Sequence, residues 1–213
     1  LHPVAHSFPT RRSSDLDVKT KYMKVLDMDE GKAVERDIKT LSNISLISIV
    51  VNFVDILAHR RSDTEFLREI VPDEAGYRTI VRAWFEHSWL YQVMKQLSSM
   101  GYTIILTTDH GSIRVQNAAI VKADKRASTN LRYKFGKNLN TDVKQTVIIR
   151  NPEEYRLPRQ NINTNYIFAK EDYYFVYPND YNIYKQKFYD TFQHGGISME
   201  EMILPVVTLS PKS

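Results

Sequence analysis

Residues 44–59 read ISLISIVVNFVDILAH. From Ile44 to Val54 the apolarity is nearly continuous and rich in Ile and Val, the pattern of a strand buried on both faces. The run closes on Asp55, and His59 follows four residues later. If the chain turns into a helix there, both side chains face one way. Ile44 to Ala58 is the longest apolar stretch in the chain. It is too short and too polar to span a bilayer, so no membrane insertion is expected.

A matching arrangement follows. Pro72-Asp73-Glu74 opens a long helix, with acids at its positive end. That helix is predicted through Tyr77, Trp84, Trp89 and Val93 to Met100, where Gly101 offers a left-handed cap. Tyr102 to Thr108, YTIILTT, is a second buried strand, and it closes on Asp109 and His110. Strand, helix and strand in that order predict a βαβ unit. The expected class is α/β: a mostly parallel central sheet flanked by helices. In such sheets ligands collect beyond the carboxyl ends of the strands, so Asp55 and Asp109 should meet at one edge.

Elsewhere, Lys32–Leu41 reads as a short helix. Val143–Arg150, Tyr166–Ala169 and Tyr173–Tyr177 read as strands, and Tyr181–Phe192 as a tyrosine-rich helix. Ser198 with Glu201 spells a capping box, and Val206–Leu209 a terminal strand. Arg114 to Lys137 is basic and shows no period. No internal repeat or linker divides the chain.

Three sites carry chemistry: FVDILAH, TTDHG and FQHGG. They hold Asp55 and His59, Asp109 and His110, and His194. Carboxylate oxygens and imidazole nitrogens together suit Zn²⁺ or a similar divalent ion. His110, adjacent to Asp109, would point to the opposite face of a strand, but the turn that Gly111 permits brings both to one site. Gly195-Gly196 frees His194 to approach from elsewhere. Singly, each has an ordinary structural reading: D-x-x-x-H is a common spacing, and a His beside glycines marks a turn. Together they are stronger, because a buried strand end is a poor place for unpaired carboxylates. His87, in WFEHSW, reads as a structural histidine among core aromatics.

The 213 residues suffice for one large domain with its own core. No cysteine is present, which removes disulfides and thiolate metal sites and fits a reducing compartment. Residues 1–16, LHPVAHSFPTRRSSDL, lack any period and any signal-peptide core. They resemble translated sequencing adapter and are set aside from fold reasoning, the alternative being a natural disordered arm. Without them four histidines remain, and three belong to the proposed site.

FVDILAH, WFEHS, LTTDHG, TNLRYKFGKN, RNPEEYRLPRQ and FQHGGISMEEMILPVV together resemble the PglZ domain of PorX-type response regulators, in the alkaline phosphatase superfamily. The likeness runs from Asp17 onward. It implies that Asp55, His59 and His194 hold one Zn²⁺, and Asp109 and His110 a second. Two ions roughly 3.5–4 Å apart clamp the attacking and leaving oxygens of a phosphate ester. The resemblance further implies a Ser or Thr nucleophile and an Asp upstream of the D-x-x-x-H motif. Neither is evident here, so residues 17–213 are expected to be a C-terminal, N-terminally truncated part of the domain. It would have one complete zinc site, no catalytic nucleophile and no turnover. Implied partners are an N-terminal receiver domain, a sensor kinase and a second copy in a homodimer. The implied setting is cytoplasmic two-component regulation of type IX secretion.

Arg114, Lys122, Lys125, Arg126, Arg132, Lys134 and Lys137 crowd one segment, with Tyr133 and Phe135 interleaved. Arg132 and Lys134 are expected to meet a phosphodiester, an oligonucleotide for instance, whose bases the aromatics would stack. The plain alternative is a solvated loop. Two function classes stay open: a zinc-dependent phosphodiesterase or phosphatase, and a non-catalytic module in which zinc stabilises an interaction or dimerisation surface. A sulfatase or mutase is a weaker third.

Overall fold

The computed structural model describes residues 18–61, 64–123 and 128–211. The adapter-like segment 1–16 lies outside them, as do Lys125 and Arg126. The chain runs β1 (Thr20–Val25), α1 (Met28–Asp37), a 3-10 turn (Ile38–Leu41), β2 (Leu46–Val51), α2 (Phe53–Arg60), α3 (Glu65–Ile70), α4 (Glu74–His87) and α5 (Trp89–Ser99). Next come β3 (Ile104–Thr107), β4 (Ile113–Val115), β5 (Asn117–Lys122), β6 (Tyr133–Gly136), β7 (Asn140–Thr141), β8 (Thr146–Ile149) and a second 3-10 turn (Pro152–Tyr155). The chain closes with β9 (Asn165–Ala169), β10 (Tyr173–Val176), α6 (Tyr181–Phe188), β11 (Thr191–Gln193), α7 (Met199–Met202) and β12 (Val206–Leu209).

The helices begin where short oxygen-bearing side chains satisfy first-turn amides. Asp27 accepts from Glu30 N, Thr64 from Leu67 N, Asp73 from Gly76 N and Ser88 from Tyr91 N. Ser88 corrects the expectation of one long helix. Its extended backbone ends α4, and its hydroxyl caps α5. His87 therefore lies exposed at the last position of α4, not inside a helix among core rings. Gly101, at φ +83°, closes α5 as anticipated, and Tyr102 N donates back to Leu97 O.

The chain is mixed α/β, but a mostly parallel central sheet is not what forms. The described strands make five small sheets: β1–β2, β10–β5–β7, β11–β4, β12–β3 and β6–β9–β8. Only β1–β2 and β10–β5 are parallel. The two strands expected to be parallel neighbours, β2 and β3, belong to different sheets. β3 pairs antiparallel with β12, Leu106 opposite Val207. Nor is β3 buried: Ile105 is 65% exposed and Val206 beside it 68%. Apolarity on both faces of a strand says that it can be covered, not which strand lies beside it.

The periodless reading of residues 114–137 is also corrected, because β4, β5 and β6 arise there. The tyrosine-rich helix stops at Phe188, leaving Thr191–Gln193 to pair antiparallel with β4. The Ser198–Glu201 capping box forms as expected.

One core packs α1 and α5 on β1 and β2, through Val25, Ile38, Trp89, Val93 and Leu97. Gly31 admits the indole there, since a Cβ on it would fall 2.1 Å from Trp89 Nε1. A second core joins β5, β9 and β10 through Ala119, Val121, Ile167, Ala169 and Phe175. Between them α4 underlies both α2 and β11. Phe53 stacks on Trp84 at 4.1 Å between centroids, and Tyr77 on Phe192 at 4.8 Å. Among the described residues no helix is long and apolar enough to cross a membrane.

Candidate metal centre

Three chain segments deliver the candidate ligands. The chain leaves β2 through Asn52 and turns at once into α2, which carries Asp55 and His59 one helical turn apart. Beyond β3 the chain reaches Asp109, His110 and Gly111. Past β11 it reaches His194. α2 packs against β11, so residues far apart in sequence become neighbours.

His59 Nε2 lies 3.3 Å from Asp55 Oδ1, His194 Nε2 lies 3.7 Å from the same oxygen, and the two Nε2 atoms are 3.4 Å apart. A tetrahedral ion with ligands at about 2.0–2.1 Å separates them by roughly 3.3–3.4 Å. Two edges of this triangle match one face of such a site, and the third, at 3.7 Å, is slightly longer. Three lone-pair-bearing atoms pointed at one another repel unless a proton or a cation lies between them, so the donor set fits a divalent ion. Among the described residues this is the group of three His or acidic side chains that converges closely enough to hold one.

The electrostatics agree. The hydrogen bond from His59 holds the Asp55 carboxyl below its usual range, with the neighbouring imidazoles adding to this against the effect of burial. Burial, then the charge of His110, pushes the His194 imidazole below its usual value despite Asp55. A neutral imidazole beside an ionised carboxylate is the ligating state of both.

His110 joins this group by its ring, stacked on His194 with centroids 3.9 Å apart. Its Nδ1 is 3.0 Å from Gly111 O. Asp109 Oδ1 stands 3.8 Å from His110 Nε2, on a side chain 71% exposed. All five sequence-predicted ligands thus have described positions. Three close into one triangle, His110 stacks on the His194 ring, and Asp109 stands outside the triangle beside His110.

Buried polar contacts fix the loops. Gly111 N donates to Glu201 O, and a Cβ on Gly111 would fall 1.9 Å from Glu200 O. The Glu201 carboxylate accepts from Gly196 N at 2.8 Å and from Ser198 N at 3.2 Å. Gly195, at φ +96°, needs the left-handed region. Asn130 Nδ2 donates to His194 O at 3.3 Å.

Arg132 and Lys134 require a correction. Expected to meet a substrate, they are instead 0% and 1% exposed, with their charges turned inward. Arg132 pairs bidentately with Glu201, at 3.0 and 2.9 Å, and also donates to Tyr173 O. Burial alone would raise the Glu201 carboxyl, but the hydrogen bonds and charge of Arg132 outweigh it and hold the group low. Lys134 donates to Ser128 O at 2.8 Å and lies 5.1 Å from the Tyr177 ring centre. Burial pushes its pKa down to about 8. Because strand side chains alternate, the other face of β6 presents Tyr133 and Phe135. They join Tyr166 and Phe168 in a ladder of rings 5.4–6.3 Å apart. Tyr133 abuts Gly195, whose added Cβ would lie 3.2 Å from the ring.

The model of the BREX system PglZ alkaline phosphatase-like domain matches residues 10–209. The chain belongs to the PglZ family. No curated protein matches it. For a PglZ domain of this superfamily a phosphoesterase-type fold is the plain inference, and metal use is in keeping with it. Arg61 was missed by the sequence reading, and Glu201 was read only as a helix cap, not as the partner of Arg132. An Arg or Glu near a motif reads as surface until its partner, distant in sequence, is known.

Proposed function

We propose that this PglZ domain is a zinc-dependent phosphodiesterase or phosphatase unit whose ion sits on Asp55, His59 and His194. The observation that carries the proposal is the triangle of Oδ1 and two Nε2 atoms, 3.3–3.7 Å on a side. Bound there, zinc would neutralise charge on a phosphate oxygen and lower the pKa of a hydroxyl or water. Asp109 and His110, the latter stacked on His194, are proposed as a half-built second site. Asp55 contributes negative charge, and burial makes the His194 imidazole harder to protonate.

The substrate is proposed to be a phosphodiester carrying a planar group, an oligonucleotide among them. Support comes from Tyr133 against the His194–Gly195 loop and the ring ladder behind it. The wider setting implied by the sequence resemblance is an output domain of a PorX-like regulator, with a receiver domain, a sensor kinase and dimerisation. The family's name instead associates it with the BREX system.

Metal analysis of the purified protein tests the reading. About one zinc per chain is expected, lost in His194→Ala. Full zinc content in that variant removes His194 from the coordination shell. Zinc-dependent hydrolysis of an aryl phosphodiester would establish the enzyme and overturn the expectation of no turnover, whereas self-association that needs zinc would favour the interaction module, for which the exposed β3–β12 pair speaks.

A further inference from the structure

Two residues beyond His59, Arg61 is 1% exposed and reaches across to the strand that delivers His194. Its Nε donates to Val71 O, its Nη1 to Asp190 O, and its Nη2 to Pro72 O at 3.0 Å and Asp190 Oδ2 at 2.9 Å. Arg114 grips the other oxygen of Asp190 and also donates to Pro72 O. The Arg61 guanidinium lies 5.5 Å from the Phe192 ring centre, and Tyr77 stacks on that same ring. Tyr77 OH donates to Val54 O at 2.8 Å, next to Asp55. Both ends of α2 are therefore tied to β11, the C-terminal end through Arg61 and the N-terminal end through Tyr77, each in contact with Phe192. Asp190 keeps a left-handed backbone at φ +62° and still donates its N–H to Val115 O. That conformation costs energy in a residue with a side chain, so the contacts around it must hold it there.

We infer that Arg61, locked onto Asp190, is a positioning residue that sets the distance from the Asp55–His59 pair to His194. This rests on the ion reading above. The four acceptors of Arg61 are spread over three backbone carbonyls and a carboxylate, an arrangement that a planar guanidinium spans and a single ammonium does not. Arg61→Lys keeps charge and length while releasing the span. α2 is then free to shift against β11, and the triangle opens.

Zinc affinity by competition with a chromophoric chelator, and the visible spectrum of the Co²⁺ form, give the test. Arg61→Lys should weaken zinc binding about tenfold or more, whereas Val93→Ala stays within about twofold of the parent. Val93→Ala, in the core of α1 and α5, is the control for general destabilisation. The Co²⁺ spectrum should change in Arg61→Lys alone. Asp190→Asn should follow Arg61→Lys, and it decides the matter where Arg61→Lys does not fold. Parent-like affinity in both variants, or an equal loss in Val93→Ala, overturns the inference while the ion site stands. A parent protein that binds no zinc overturns the ion site itself, and this positioning role with it.

Discussion

His110 and His194 stack face to face, with centroids 3.9 Å apart and planes 9° apart. One segment follows β3 and the other follows β11, and they meet through these rings. Two imidazoles so close disfavour a shared positive charge, which is one reason His194 resists protonation.

Zinc should therefore act as a folding ligand. At free zinc about 100 times its dissociation constant, stabilisation of about 2.7 kcal/mol is expected. A thermal melt with and without zinc measures this. The upward shift should appear in the parent, vanish with a chelator and be absent in His194→Ala.

Arg132→Ala should act on stability before it acts on any substrate. It strands the buried Glu201 carboxylate, at a cost of about 3–5 kcal/mol. Urea denaturation should show a lower midpoint. A parent-like midpoint with a raised KM for an oligonucleotide would instead return Arg132 to the substrate.

Lys134 supplies a pH signature. Its folded pKa of about 8 lies below the ordinary 10.5. Between those values the unfolded chain holds a proton that the folded chain has released. Stability contributed by this group therefore rises as pH climbs from 8 to 10.5. Lys134→Met should flatten that rise in urea titrations taken across the window.

Gly111→Ala tests the turn beneath His110. The new methyl would meet the Glu200 carbonyl at 1.9 Å. Backbone must move, at a cost of about 1–3 kcal/mol. A lower melting temperature and weaker zinc binding are expected together.

Val206→Lys probes the open apolar strands. Ile105 and Val206 are both well exposed on β3 and β12. A lysine there should reduce self-association and hydrophobic-dye binding, and leave the melting temperature nearly unchanged. Light scattering against concentration checks it.

The site was more legible in the sequence than the sheets were. Asp55 and His59 share a helical spacing and His194 precedes two glycines, patterns that are ordinary singly and pointed to a metal only when taken together. The partner of β3 could not be read, because apolar residues along Ile104–Thr107 do not name β12 as their neighbour. The stretch Arg132-Tyr133-Lys134-Phe135 does alternate with a strand's period, but with its charges inward. That inversion depends on Glu201 and on the Ser128 carbonyl, both remote from any local pattern. Asp190 was invisible for the same reason: its partners Arg61 and Arg114 lie far back along the chain.

Glu201 gives the last stretch of chain an unexpected responsibility. Its carbonyl latches the turn after His110, and its carboxylate latches the turn after His194. A chain cut after Gly196 would retain every candidate ligand and lose the bolt that holds two of them in register. Trimming or splicing this protein near its carboxyl end would thus disable the ion cradle from a distance, with all its donors still present.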